Sequence, residues 1–392
     1  MNNLKIITLH AAVALVLLCS CRGGKATAVI PGGDTVRLRH AERLQIVKYD
    51  GYAVASLADP WNEGRTLHTY VLAERRADGK LPPEAEATAE ALRQDGRGGA
   101  VSVVGVPLRR AVVATSVHCG LLGELGRQDA VAGVCDLRYV NLPWVRRGHA
   151  EGRIADCGNG ITPTVEKIIA LGADAVLVSP FQNSGGYGRL NECGSPIIEL
   201  ADYMETSALG RAEWMKFYGL LFGAEAAADS MFAAVEAAYD SLAAEARRSA
   251  VRKEVLVDHL SGAVWYVPGG RSTLGRLIAD AGADYAFAAD KSSGSLQLTL
   301  ESVLAKAGGA DVWLVRHNGR QAATRAALLA ESEGYGQLKA FRQGAVYGCD
   351  TEATRYYEEA PFRPDLLLRD LVIIAHPDLK GLGRTRYFTL MK

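Results

Sequence analysis

The sequence predicts an α/β protein: two lobes, each with a central parallel sheet, joined by one long α-helix and preceded by an N-terminal β-rich extension. Three observations carry this. From about residue 100, short apolar runs alternate with helical stretches, the pattern of parallel sheets covered by helices on both faces. Residues 224–250 are alanine-rich and almost free of helix breakers. A helix–strand segment recurs on either side of that stretch. The 392 residues hold 44 basic and 44 acidic side chains and are 48% hydrophobic. That suits a sizeable core and leaves no basic excess for nucleic acid.

In chain order, residues 44–49 and 52–57 read as strands around Asp50-Gly51, which predicts a type I′ hairpin. Residues 68–73 form another strand and 84–93 a short helix, before a glycine-rich loop at 94–99. A tether and extension thus occupy 21–108. The N-lobe, 109–205, has strands at 110–115, 130–134, 175–178 and 196–200, with helices through 121–125 and at 163–171. Linking helices fill 206–250: one runs to Phe222, Gly223 interrupts, and the second covers 224–250, on the order of 40 Å at ~1.5 Å per residue. Its Met231, Val235, Ala238 and Leu242 recur at helical spacing and predict the packed face. The C-lobe, 251–392, has strands at 254–258, 264–267, 312–315 and 346–347, and helices at 272–281 and 364–376. Ser272 reads as an N-cap.

The internal repeat pairs 164–178 with 299–315. Each unit is a helix with a glutamate in its early turn, Glu166 or Glu301, then Ala-Asp and a buried strand. Its placement about the long helix predicts related lobes with a cleft between them, a favoured position for a ligand.

The first twenty residues read as an address. Lys5 supplies a positive start and residues 6–18 an apolar stretch of signal-peptide length, short of the about 20 residues of a bilayer span. Leu18-Cys19-Ser20-Cys21 resembles a bacterial lipoprotein lipobox, which implies lipidation of Cys21 and a periplasmic protein anchored to a bacterial membrane by that lipid. Five cysteines remain, Cys119, Cys135, Cys157, Cys193 and Cys349, without a CxxC pair. One disulfide fits an oxidising compartment, with Cys135–Cys157 as first choice; all five as buried thiols is the alternative.

Taken together, TVEKIIALGADAVLVSP, LGRAEWMKFYGLLFG, the long helix and TLESVL…ADVWLV resemble the iron-siderophore/cobalamin class of periplasmic binding proteins, the substrate-binding components of ABC importers, over roughly 109–385. The resemblance implies two lobes bridged by a helix that limits hinge motion. It also implies a lipid-anchored monomer that delivers an iron chelate, haem or cobalamin to the transmembrane subunits of a permease, without catalysis or a resident cofactor or metal. By the same resemblance Glu166 and Glu301 dock to permease arginines, a charge-assisted and directional contact; as residues alone they also read as helix first-turn acids complementing the dipole.

Cleft residues are expected in loops at strand C-termini. These are Phe181, Gln182, Tyr187 and Arg189 after one N-lobe strand and Tyr203 after the next, with Trp265, Tyr266, His317, Asp350, Arg355 and Tyr356 from the C-lobe. Flat aromatics suit a macrocycle, arginines suit an anionic chelate, and Tyr187, Tyr356 or His317 offers an axial ligand to haem. A receptor for a bare transition-metal ion is the alternative, although the scattered histidines form no HxH or HxxxH pair. An exported hydrolase is a further alternative, with neither a GxSxG elbow nor an HExxH helix in the sequence.

Overall fold

The structure, a computed structural model, describes residues 32–182, 186–319 and 324–392. The apolar leader and Cys21 lie outside the described residues. Among the described residues no helix is long and apolar enough to cross a membrane.

The extension is a five-stranded sheet in chain order: β1 (Asp34–Thr35), β2 (Leu44–Tyr49), β3 (Tyr52–Ala58), β4 (Thr66–Glu74) and, after helix α1 (Pro83–Asp95), β5 (Ala100–Val106). Its first four strands are antiparallel, while β5 pairs parallel to β4 through the α1 crossover, a unit the sequence reading did not contain. The β2–β3 hairpin has the predicted two-residue loop, with Tyr49 opposite Tyr52. Only Gly51 takes a positive φ (75°), so the turn is not type I′, which needs it at both central positions. One sheet face packs Val54, Val71 and Ala73 against Ala85, Ala89 and Leu92 of α1. The other places Ile46, Ala55, Tyr70 and Val104 in the main core. The extension is therefore a layer of the body.

The N-lobe contains β6 (Ala111–Val113), α2 (Ser116–Glu124), β7 (Val131–Val134), α3 (Pro143–Ala150), β8 (Ala155–Asp156), α4 (Val165–Leu171), β9 (Ala175–Val178) and β10 (Ile197–Glu199). Its strands form one parallel sheet in the order β10-β9-β6-β7-β8. The order reverses between β6 and β9, the position where open α/β sheets leave a crevice. The β10 edge is covered by the extension: Tyr70 donates its hydroxyl to the Ile197 carbonyl (3.0 Å) and accepts from the Glu199 N–H (2.8 Å). One side chain thus serves both backbone groups of an edge strand.

The linking helices are α5 (Ala208–Glu213), α6 (Met215–Phe222) and α7 (Glu225–Arg248). Gly223 closes α6 at φ 61°, the left-handed stop that glycine adopts without strain. At 24 residues α7 spans about 36 Å. Its buried face is Ala228, Phe232, Val235, Tyr239, Ala243 and Ala246. Of the predicted stripe only Val235 is fully buried; the bulkier Phe232 and Tyr239 turn the helix by one position, leaving Met231, Ala238 and Leu242 at the flank.

The C-lobe comprises β11 (Val255–Val257), β12 (Leu260–Ser261), β13 (Val264–Pro268), α8 (Thr273–Asp280), β14 (Ser295–Leu298), α9 (Leu300–Ala307), β15 (Val312–His317), α10 (Arg325–Glu331), α11 (Lys339–Arg342), β16 (Val346–Asp350), α12 (Tyr356–Glu359), α13 (Pro364–Ala375) and β17 (Thr389–Leu390). Parallel β11, β15 and β16 carry an antiparallel edge strand, β17. Strands β12-β13-β14 form a small antiparallel sheet beside them. Ser272 caps α8, accepting from the Gly275 N–H (3.0 Å). Helix α7 packs on α6 and α13, and Tyr239 donates to Asp280 of α8 (2.7 Å), so one rod touches both lobes. The repeat units α4–β9 and α9–β15 fall one in each lobe, and both strands are internal to their sheets. All five body cysteines are buried and free, Cys135 and Cys157 included.

Candidate ligand-binding cleft

A cavity of about 180 Å³ opens between α5, which leaves the N-lobe, and the C-lobe. Arg211 of α5 lines one side; Arg316 at the end of β15, with Tyr356 and Tyr357 of α12, lines the other. Leu274 and Leu277 of α8 supply an apolar wall.

Each arginine is held by an aspartate. Arg211 donates Nε to Asp202 (2.9 Å), which is 1% exposed and has His118 Nε2 at 3.5 Å. Burial alone raises the Asp202 pKa, but the Arg211 charge and the His118 contact outweigh it and hold the carboxyl below its usual range. Arg316 forms two parallel bonds to Asp258, Nε to Oδ1 (2.7 Å) and a terminal nitrogen to Oδ2 (2.5 Å). Asp258 sits at φ 65°, a left-handed conformation that aspartate tolerates better than most residues. Its carbonyl accepts from the Trp313 indole (2.6 Å) and its N–H donates to Leu314 (2.8 Å). The Arg316 guanidinium lies 5.7 Å from the Tyr356 ring centre. Burial pushes the Tyr356 hydroxyl up to about 12, partly offset by Arg316.

The two-lobed fold agrees with the comparisons. Residues 112–353 match the model of a family described as periplasmic binding protein. The chain belongs to that family. The fold is shared by an ABC transporter substrate-binding protein from Listeria monocytogenes EGD-e, at TM-score 0.55 and 16% identity over 69% of this chain and 99% of its own. An uncharacterized lipoprotein of Methanocaldococcus jannaschii is 24% identical over 361 residues, covering 90% of this chain and 84% of its own. A match that wide takes in much of the extension. Among solved structures, a periplasmic heme binding protein from Pseudomonas aeruginosa aligns with TM-score 0.57 and 18% identity over 72% of this chain and 98% of its own. The heme-binding protein RhuT from Roseiflexus sp. RS-1 gives 0.54 and 23%, over 68% and 97%. The siderophore binding protein BauB, solved with two acinetobactin molecules and ferric iron, gives 0.55 and 19%, over 71% and 95%. These neighbours are matched almost whole while about three tenths of this chain stays outside.

The binding protein's predicted cleft residues separate into groups. Tyr356 lines the cavity. Tyr203 stands beside Asp202 and Arg211 and donates its hydroxyl to the Pro180 carbonyl, tying the loops after β9 and β10; Phe181 and Gln182 are exposed in the first of these. Trp265 is a correction: it is fully buried, donates to the Val257 carbonyl (2.9 Å) and meets Trp313 at a tilt and Tyr335 edge-on in the C-lobe core. Strand alternation turns its neighbour Tyr266 outward, 41% exposed and off the cavity. Tyr187 does not line this cavity; its hydroxyl donates to Glu199 (2.7 Å), the carboxylate that His68 of the extension contacts from the other side. Arg189 pairs with Glu166 (2.5 Å) on the surface of α4. His317 lies one residue beyond Arg316 and faces Gly348 across the sheet, and Asp350 caps its own loop through the Glu352 and Ala353 N–H groups. Arg355 is exposed and, like those two, does not line the cavity.

Arg316 and Tyr357, which end or follow C-lobe strands as cleft residues are expected to, line the cavity, whereas Arg211 was not foreseen. A cation directly after the apolar run 312–315 was a readable signal for Arg316. Arg211 gave none, because it sits inside a helix whose apolar neighbours read as packing. Glu166 and Glu301 are both exposed, in the first turns of α4 and α9, one on each lobe. Bonds to Glu301 from its own N–H and from Thr299, and to Glu166 from its own N–H and from Arg189, hold both carboxyls below their usual pKa.

Proposed function

We propose that this protein captures an anionic iron chelate, a siderophore complex or haem, between its lobes and hands it to an ABC permease, held at the membrane by lipid on Cys21. The observation that carries the reading is the pair of aspartate-braced arginines, one from each side of a single cavity. Two guanidinium groups fixed in advance favour an acidic ligand, because little ordering entropy remains to be lost on binding. Cobalamin fits this charge pattern less well. The heme- and siderophore-binding neighbours support the class of ligand. For haem, Tyr356 is the candidate axial donor, as the Tyr187 hydroxyl is taken by Glu199 and His317 lies off the cavity. The bare-metal reading gains no observation, since no group of three or more metal-competent side chains is found among the described residues.

The cavity's 180 Å³ falls below the about 300–1,000 Å³ of small-molecule sites, so such a ligand needs the lobes further apart. The test is titration of purified protein with haem, followed at the Soret band, and with ferric siderophores, followed by tryptophan fluorescence. A 1:1 complex with one of them is expected, weakened about tenfold or more by Arg211→Ala and by Arg316→Ala, the loss of a charge-assisted bond. Equal affinity in both variants and the parent overturns the site.

A further inference from the structure

The helix that carries two cavity tyrosines also touches the opposite lobe. Along α12, Tyr356 and Tyr357 line the cavity. The next residue, Glu358, is 7% exposed and reaches the N-lobe, where its carboxylate faces Ser116 at the start of α2 and the Asn141 N–H. Glu359 then binds back into the C-lobe, accepting from Arg386 (2.8 and 3.0 Å) and from the Tyr387 hydroxyl (3.0 Å).

The contact between lobes is backbone-close. A Cβ built on Gly120 of α2 would stand 2.0 Å from the Glu358 carbonyl oxygen and 3.1 Å from its Cα, so glycine is required there. Asn141 adds a side-chain bond to the Glu352 carbonyl (3.2 Å), and Phe362, just past α12, meets Tyr218 of α6 edge-on at 5.5 Å. Four residues of one helix therefore face the cavity, the far lobe and the near lobe in turn.

We infer that Glu358 is a positioning residue that latches the empty cleft shut: the close backbone contact with Gly120, the Asn141 bond to the Glu352 carbonyl and the Glu358 carboxylate set against Ser116 and Asn141 hold the lobes at the spacing that keeps this cavity small. A ligand pressing on Tyr356 and Tyr357 moves the helix that carries the latch, so occupancy and lobe spacing change together. The inference rests on the reading that the ligand enters between the lobes, but its test needs no ligand.

Spin labels are placed on exposed sites of the two repeat helices, Ala170→Cys on α4 and Ala305→Cys on α9, and the distance between them is measured in the ligand-free protein by double electron–electron resonance. The parent is expected to give one narrow distribution. Glu358→Ala and Gly120→Ala are expected to lengthen and broaden it, while Glu358→Gln, which keeps an oxygen set against Ser116 and Asn141, retains the parent distance. An unchanged distribution in folded Glu358→Ala overturns the latch even if ligand binding is later demonstrated. Failure of every ligand titration, with the distances behaving as stated, leaves the latch standing and removes the chelate reading instead.

Discussion

A guanidinium at the edge of a small cavity has many poses open to it, and Asp202 takes most of them away from Arg211. Their bond runs from a carboxylate that is itself almost wholly buried, so its direction is set by packing. Asp202→Asn keeps the shape and removes the negative charge that pairs with Arg211. It is expected to weaken ligand binding about fivefold to tenfold with Arg211 still present, measured by the same titrations. Single residues were also where the sequence was least informative. Trp265 and Tyr266 are adjacent aromatics on one strand; alternation decides that one is core and the other surface, but its phase depends on which sheet face is covered. Tyr187 and Arg189 were sensible cleft residues by position, yet each has a nearer carboxylate, Glu199 and Glu166, that no local pattern reveals.

At the level of elements, the extension is fastened by a segment whose backbone N–H groups converge on buried carboxylates. Glu213 accepts from the N–H groups of Arg39 (3.1 Å), His40 (2.8 Å) and Ala41 (3.0 Å). Glu205 accepts from Glu42 (3.1 Å) and Arg43 (2.9 Å). On the long helix, Glu236 pairs with Arg39 and meets His40 Nε2 at 2.6 Å. Burial raises the Glu213 pKa, but the three backbone donors and Lys216 more than offset this and leave it lowered. A lowered carboxylate stabilises the fold above its unfolded value and loses that contribution as pH falls through the folded one, here below the ordinary glutamate range. Glu213→Ala is expected to cost about 3 kcal/mol in denaturant unfolding and to flatten the acid side of the stability profile. The alternating strands and the internal repeat were legible because buried parallel strands are continuous apolar runs, as in Val176-Leu177-Val178 and Val312-Trp313-Leu314-Val315. Strand β5 has no counterpart among the expected strands, because its parallel partner lies across α1, a pairing that hydropathy does not encode.

For the whole molecule, the repeat puts Glu166 and Glu301 on separate lobes, exposed and at corresponding helix starts. Under the proposed delivery role each carboxylate meets a cation of the permease, and at the N-lobe that cation must displace Arg189. Glu166→Ala combined with Glu301→Ala is expected to abolish stimulation of ATP hydrolysis by the membrane-reconstituted permease, leave ligand affinity unchanged, and exceed either single variant. Full stimulation by the double variant removes the docking assignment. Arg189→Ala, which frees Glu166, is expected to strengthen the contact at low salt.

Among the described residues, these fastenings of the added layer land on the N-lobe and the linking helices: Tyr70 and His68 on β10, the 39–43 segment on Glu205, Glu213 and Glu236, and Lys48 on Glu225. With a lipid at its leading end, such a layer would moor the first half of the receptor to the bilayer and leave the second half to swing. The change in lobe spacing would then belong mainly to the half bearing Glu301, and the permease would sense cargo as a change in where that one acidic point arrives.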